Sequence, residues 1–386
     1  MTSRKASPPG DRQAWLAQAK RVVVKVGSGV LSHGEKGLHR PTLSRLATAM
    51  AGLRARGIEA ILVSSGAILA GMEALGLTER PRDLPLKQAA AAVGQGHLMR
   101  AYEEVFQPCG VSVAQILLTG DDLRHRGRYL NARNTLFTLL RLRVVPIVNE
   151  NDTVAVQEIQ FGDNDTLSAL VANLVEADLL AILTDTEGLF TADPRRDRSA
   201  QLIPCVRPQD AVSSFCAEDA GSAASIGGMS SKVRAARRAA TAGIPTVVAS
   251  GLQPERLEAI VGGAEVGTFF VPSGSRMQSR KRWLAFASQP RGGIVVDAGA
   301  RQALVSGGKS LLPSGVRAAR RSFRAGDVVS LLDAENREFA RGLANYGRDE
   351  VEKIKGLKSR EIAAVLGSKP YDEVVHRDNL VVLDEA

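Results

Sequence analysis

Between residues 21 and 270, short runs rich in Val, Ile and Leu alternate with longer Ala-, Leu- and Arg-rich stretches, and most runs end in glycine, hydroxyl or Asx residues. Strands are read at 21–26, 59–63, 111–118, 144–148, 179–183 and 246–249, and helices at 41–56, 86–106, 129–142, 166–176 and 231–242. This alternation is the pattern of βαβ units, whose parallel strands are covered on both faces by helices. The predicted fold class is therefore α/β, a three-layer αβα sandwich around a mostly parallel sheet.

The rhythm changes at the polar segment 272–282. Short β-like runs at 293–296, 311–312, 328–332 and 339–343 follow, separated by turns, which predicts a small, mainly β C-terminal module. The expected organisation is a flexible tail at 1–20, the αβα domain at 21–270, a linker at 271–290, the β module at 291–369 and a second tail at 370–386.

Several function classes are set aside by composition. A chain of 386 residues with 44% hydrophobic and 24% charged residues can bury a substantial core. It has no apolar run near the roughly 18 to 20 residues of a membrane span. The first 19 residues have basic residues and Pro8-Pro9-Gly10 but no apolar segment, so no secretory signal is expected. Cys109, Cys205 and Cys216 lie far apart without a CxxC pair, which argues against zinc and a disulfide framework and fits the cytoplasm. The histidines, His33, His39, His97, His125 and His376, stand in no metal or nucleophile motif, and no metal-ligating residues are assigned. The net charge is +9, yet residues 291–386 hold 16 basic and 14 acidic residues, so most of the excess lies upstream, where an anionic small substrate would use it.

Six segments carry the chemistry. Lys25 follows Val22-Val23-Val24 and precedes Gly27-Ser28-Gly29, putting a cation at a strand end beside backbone that small residues leave accessible. Ser64-Ser65-Gly66-Ala67 lies between a strand and a helix, where free N–H groups face the strand-end cleft. Gly227-Gly228-Met229-Ser230-Ser231-Lys232 repeats the device, a glycine turn opening a helix and ending in a lysine. Asn149-Glu150-Asn151-Asp152 and Gly162-Asp163-Asn164-Asp165 flank an amphipathic span at 153–161 that reads as a hairpin. Their carboxylates suit a substrate ammonium and the lysines, and their amides suit a carboxylate. Thr184-Asp185 at another strand end suits a ribose or purine. Gly308-Lys309-Ser310 mimics part of a Walker loop, but Pro313 and Gly315 preclude the helix such a loop needs.

In order and wording these segments resemble the glutamate 5-kinase (γ-glutamyl kinase) family of the amino-acid kinase superfamily. The most specific stretches are 149–154, 162–170, 182–195 and 227–232, and the C-terminal module looks like a PUA domain. The resemblance implies the amino-acid kinase fold and ATP-dependent phosphorylation of the γ-carboxylate of L-glutamate, the first step of proline biosynthesis. It implies Lys25, Lys232 and Asp165 as catalytic residues, and Ser65, Asp152 and Asn164 as glutamate ligands. ATP would be held by Lys25, Thr184, Asp185, Ile226, Gly227, Gly228, Met229, Ser230, Ser231 and Lys232, accompanied by Mg²⁺. Proline as inhibitor, a homodimer or homotetramer, and handover to glutamyl-phosphate reductase are further implications. The chain departs from the family where Ala224-Ser225-Ile226 precede the glycine pair and at Gly29.

Two alternatives accompany this reading. One is a superfamily kinase for another small carboxylate or anion, against which the paired Asx loops and PUA-like module count. The other is an RNA-binding protein, for which Arg317, Arg320, Arg321 and Arg324 count and the near-neutral module counts against.

Overall fold

The computed structural model describes residues 12–16, 19–34, 37–155, 164–210, 228–273, 284 and 289–383. Residues 156–161 of the hairpin expected at 153–161, together with Gly162, Asp163, Cys216, Ile226 and Gly227, lie outside the described residues. The chain divides into two compact units, Met1–Arg276 and Met277–Ala386.

The strands of the first unit are β1 (Arg21–Val26), β2 (Glu59–Ser64), β3 (Val113–Leu118), β4 (Val145–Glu150), β5 (Leu179–Thr184), β6 (Cys205–Val206), β7 (Thr246–Ser250) and β8 (Thr268–Phe270). They form one sheet in the order β3-β4-β2-β1-β5-β7-β8-β6. All neighbouring pairs are parallel except β7–β8. The described helices of this unit are α1 (Arg12–Leu16), α2 (Ser28–Ser32), α3 (Arg40–Ala55), α4 (Ala67–Ala74), α5 (Leu84–Phe106), α6 (Gly120–Arg124), α7 (Arg126–Arg141), α8 (Asn164–Leu174), α9 (Met229–Thr241) and α10 (Leu257–Val261).

Strand β1 shows why these residues form this layer. Its β-branched run Val22-Val23-Val24 is fully buried, as a central parallel strand requires. Val22, Val24 and Val26 share one core with Leu43, Leu46, Leu98 and Tyr102 of α3 and α5. Side chains alternate along a strand, so Lys25 points to the opposite face, where α8 packs. Strand order reverses beside β1, with β2 on one side and β5 on the other, and an open sheet binds its ligand at such a reversal.

Helix α5 is the longest described element of this unit, capped by Asp83, whose carboxylate accepts from Leu86 N at 3.0 Å. It packs on α4 at glycine contacts. A Cβ on Gly71 would stand 1.8 Å from the Ala90 carbonyl oxygen, and one on Gly94 would stand 1.9 Å from the Ala67 carbonyl oxygen. Backbone that close admits only hydrogen as a side chain.

Beyond the expected elements, β6 and β8 extend the sheet. They are two and three residues long, too short for periodicity to register. The expected flexible tail at 1–20 is corrected where it is described. In α1, Leu16 is buried, Arg12 donates to the Val266 carbonyl at 2.8 Å, and its guanidinium lies over the Phe269 ring.

The second unit is a five-stranded sheet, β9 (Gly292–Val296), β10 (Val316–Arg320), β11 (Val328–Leu332), β12 (Glu338–Leu343) and β13 (Leu380–Val382), ordered β10-β9-β11-β12-β13. The tail expected at 370–386 is also corrected: Val374 and Val375 are fully buried and β13 pairs with β12. The run at 311–312 supplies only a single bridge, Leu311 to Val375. No helix follows Lys309; a 3-10 turn, Pro313–Gly315, leads into β10.

Gly71→Ala is expected to force α4 off α5 and cost about 3 kcal/mol or more, the upper range for an overpacked contact. Urea unfolding checks this through a lower midpoint at unchanged slope. A midpoint equal to that of the parent would contradict the close approach.

Candidate active site

The C-terminal edge of the parallel strands collects the segments singled out above. Lys25 comes from β1, Thr184 and Asp185 from the end of β5, and Ser65 from the residue after β2. Helices α8 and α9 precede β5 and β7, so their first turns return to this same edge. Asn164 and Asp165 open α8, and Met229 to Lys232 open α9.

Asp165 is the centre of this arrangement. It has no exposed surface, and its carboxylate meets three side chains. Oδ1 forms an ion pair with Lys25 Nζ. Oδ2 accepts from Ser231 Oγ at 2.8 Å and faces Lys232 Nζ at 3.4 Å. The side chain of Lys25 is 3% exposed and that of Lys232 11%. Buried charges of this kind persist only when paired, and two ammonium groups around one carboxylate leave a net positive charge. Such a site is built to receive an anion.

The backbone around it is left open. Gly27, Gly66 and Gly228 are the N-cap residues of α2, α4 and α9, and none supplies a side-chain cap. First-turn N–H groups without a capping side chain remain available to oxygens of a ligand. A Cβ on Gly27 would lie 3.6 Å from Lys25 Nζ, and one on Gly29 would lie 3.9 Å from Asp185 Oδ2. Both glycines thus bare the backbone beside a charged group. Thr184 Oγ1 donates to Asp185 Oδ1 at 3.0 Å; Thr184 is buried and Asp185 exposed.

The second half of the site is made of neutral amides. Asn149, buried near the end of β4, donates through Nδ2 to Gln95 Oε1 at 2.8 Å. Asn149 Oδ1 accepts from Glu150 N at 2.9 Å and from Asn164 Nδ2 at 3.1 Å. The turn that follows is closed by Val154 N and Ala155 N, both donating to the Asn151 carbonyl. Gln88 Nε2 holds its far side through the Ala155 carbonyl at 3.2 Å. Asp152, half-buried in that turn, has its carboxyl pushed up to about 6 by burial, which the charge of Arg80 counteracts in part.

The structure thus brings Lys25, Asp165, Ser231 and Lys232 into direct contact, and it joins Asn164 to Asn149. Ser65 is half-buried at its strand end, whereas Ser64 turns inward to hydrogen-bond Tyr102 at 2.8 Å. Lys25 is the fifth residue of β1 and Lys232 lies in the first turn of α9, the strand end and helix opening expected from the sequence. Ser231, expected at the nucleotide, also donates to Asp165. Gln88, Gln95 and Arg80 were not foreseen. The signal for the glutamines is their seven-residue spacing on an otherwise Ala- and Leu-rich helix face.

Comparison with known proteins agrees with this arrangement. The amino acid kinase family model matches residues 20–250, and the PUA domain model matches residues 292–366. The chain is 54% identical over 368 residues to the glutamate 5-kinase of Moorella thermoacetica, covering 95% of this chain and 97% of the relative. It is 51% identical over 372 residues to that of Geobacter sulfurreducens, covering 96% and 100%. It is 51% identical over 368 residues to that of Myxococcus xanthus, covering 95% and 97%.

Asp165→Ala should leave the buried Lys25 ammonium without its counter-charge and destabilise the chain by about 3 to 5 kcal/mol. Denaturant unfolding of the variant measures this. A loss below about 1 kcal/mol would mean that water, not Asp165, compensates Lys25.

Proposed function

The chain belongs to the amino acid kinase family, and from that premise we propose that it phosphorylates the γ-carboxylate of L-glutamate with ATP, giving L-glutamyl 5-phosphate, the first step of proline biosynthesis. The carrying observation is the buried carboxylate of Asp165 between two lysines, set beside a wall of amides and the Asp152 carboxylate. The identity to glutamate 5-kinases over almost the whole length of both chains supports the choice of substrate.

The chemistry asks little of acid–base groups. A glutamate side chain titrates near 4.3, so its carboxylate is ionised at neutral pH and attacks the γ-phosphorus without a general base. A bond forms between a carboxylate oxygen and phosphorus while the bond to the β–γ bridging oxygen breaks, and ADP leaves with the electron pair. Negative charge moves onto the phosphoryl and leaving oxygens, where the ammonium groups of Lys25 and Lys232 stabilise it in a poorly solvated pocket. Asp165 and Ser231 set the positions of those ammonium groups before ATP arrives, so little reorganisation is left for the reaction.

The nucleotide is assigned to the open turn of α9, from Gly228 to Lys232, with Thr184 and Asp185 at the end of β5. Mg²⁺ accompanies ATP; it keeps much of its water and phosphate coordination and needs few protein ligands. Ser65, Asp152 and Asn164 are assigned to glutamate, with Asp152 opposite its ammonium group. Proline carries a carboxylate and an ammonium on one carbon as glutamate does, so it would compete there. No helix among the described residues is long and apolar enough to cross a membrane, and the cytoplasm, where ATP and glutamate are available, is the proposed location. Assembly as a homodimer or homotetramer and transfer of the labile acyl phosphate to a reductase complete the proposal.

Hydroxylamine trapping tests the reaction. With Mg²⁺ and ATP, a hydroxamate is expected from glutamate and not from aspartate or acetylglutamate; none with glutamate would refute it. Lys232→Ala should lower kcat by about 100- to 1000-fold, as loss of one preorganised charge does, with the protein still folded. The Asp152 carboxyl must be ionised to attract an ammonium. Because it sits at about 6 rather than the ordinary 3.8, KM for glutamate should climb as pH falls through about 6. Asp152→Asn should show a raised KM that no longer follows this titration.

A further inference from the structure

The amides Gln95, Asn149 and Asn164 form a relay whose direction is fixed by a group that cannot turn round. Glu150 N is a backbone donor, and it points at one end of the Asn149 side chain at 2.9 Å. That end must therefore be the oxygen. The nitrogen of Asn149 is then directed at Gln95, which must answer with its own oxygen, at 2.8 Å. On the other side Asn164 must present its nitrogen to the same Asn149 oxygen, at 3.1 Å. Inverting any one amide would set donor against donor or acceptor against acceptor in a buried environment.

Once the direction is fixed, each end of the relay has one polar atom left over. Gln95 Nε2 and Asn164 Oδ1 are both buried, and neither has a hydrogen-bond partner among the described residues. Buried donors and acceptors are almost always satisfied, and leaving two open is costly. The acceptor, Asn164 Oδ1, belongs to the residue before Asp165 at the start of α8, and the ammonium of an L-glutamate zwitterion is a donor that would satisfy it.

The support behind Gln95 is rigid. Gln88, Gln95 and Tyr102 recur every seven residues along α5. Each holds a different part of the site wall: the Ala155 carbonyl, Asn149 and Ser64. The helix cannot slide, because Gly71 and Gly94 lock it to α4 backbone against backbone.

We infer that Gln95 is a positioning residue for the amino-acid half of the site. By accepting from Asn149 it keeps that side chain facing Asn164, and so keeps Asn164 turned with its oxygen toward the substrate ammonium. The inference rests on the glutamate kinase reading and adds to it a residue remote from the conspicuous polar loops. Gln95 acts through Asn149, so its removal should weaken glutamate and spare ATP, which the lysine side of the site holds.

The test compares the full-length parent with Gln95→Met, a change that nearly preserves length and volume but accepts no comparable hydrogen bond. Glutamate KM is expected to rise tenfold or more while ATP KM stays within twofold. Because Gln95 works through the amide that orients Asn164, the double variant Gln95→Met/Asn164→Ala should be no worse for glutamate than Asn164→Ala alone. Gln95→Ala should reproduce the split between the two KM values and serves if the methionine variant is insoluble. A folded variant with glutamate KM within twofold of the parent overturns the inference. So does an equal rise in both KM values, or an additive double variant. A parent that forms no hydroxamate from glutamate would instead overturn the reaction itself, so the two failures are told apart by the parent's activity.

Discussion

A lysine inside a run of valines on the central strand of a parallel sheet is the constraint on which the rest of the structure turns. Lys25 is almost fully buried, and an unpaired ammonium there would be intolerable. Its counter-charge, Asp165, comes from the first turn of α8 and is itself completely buried. That carboxylate in turn fixes Ser231 and Lys232 at the start of α9. One ion pair therefore ties β1 to two helices that reach it from distant parts of the sequence. The remaining positive charge sits where strand order reverses. A pair of this kind contributes little net stability; its value lies in holding two cations at a set separation before any phosphate arrives.

The site divides by chemistry along the sheet. On one side are charge and bare backbone: Lys25, Lys232, the glycines at 27 and 228, and the open turns of α2 and α9. On the other are neutral amides and one carboxylate, Asp152, whose raised titration reflects burial. The first half suits a polyanion whose charge shifts during reaction. The second suits a small zwitterion that must be oriented rather than neutralised. Helix α5 supports the second half much as Asp165 supports the first, and the glycine contacts with α4 make that support stiff. A γ-carboxylate delivered from the amide side would meet the phosphate at the lysines.

Much of this was legible in the sequence. The strands of the parallel core were read to within a residue or two at most ends, because buried parallel strands appear as continuous Val, Ile and Leu runs. Lys25, Asp165 and Lys232 stood out as charges beside glycine turns, and the family resemblance implied that Asp165 positions both lysines; the burial and geometry of that contact are properties of the fold. Gln95 was invisible for a related reason: a glutamine in a long helix looks solvated until its face is known. The tails were misread because their buried residues, Leu16, Val374, Val375 and Leu380, occur in segments too short for periodicity. The short strands β6 and β8 escaped on the same ground.

The arrangement of Lys25 and Lys232 around the transferring group can be observed directly by a crystal structure of the protein with ADP, Mg²⁺, glutamate and aluminium fluoride, which mimics a phosphoryl group in flight. Both ammonium nitrogens should lie within hydrogen-bonding distance of the fluoride ligands or the oxygens flanking them, with Asp165 still between the lysines. Either lysine turned away from the mimic, or Asp165 detached from both, would contradict the account.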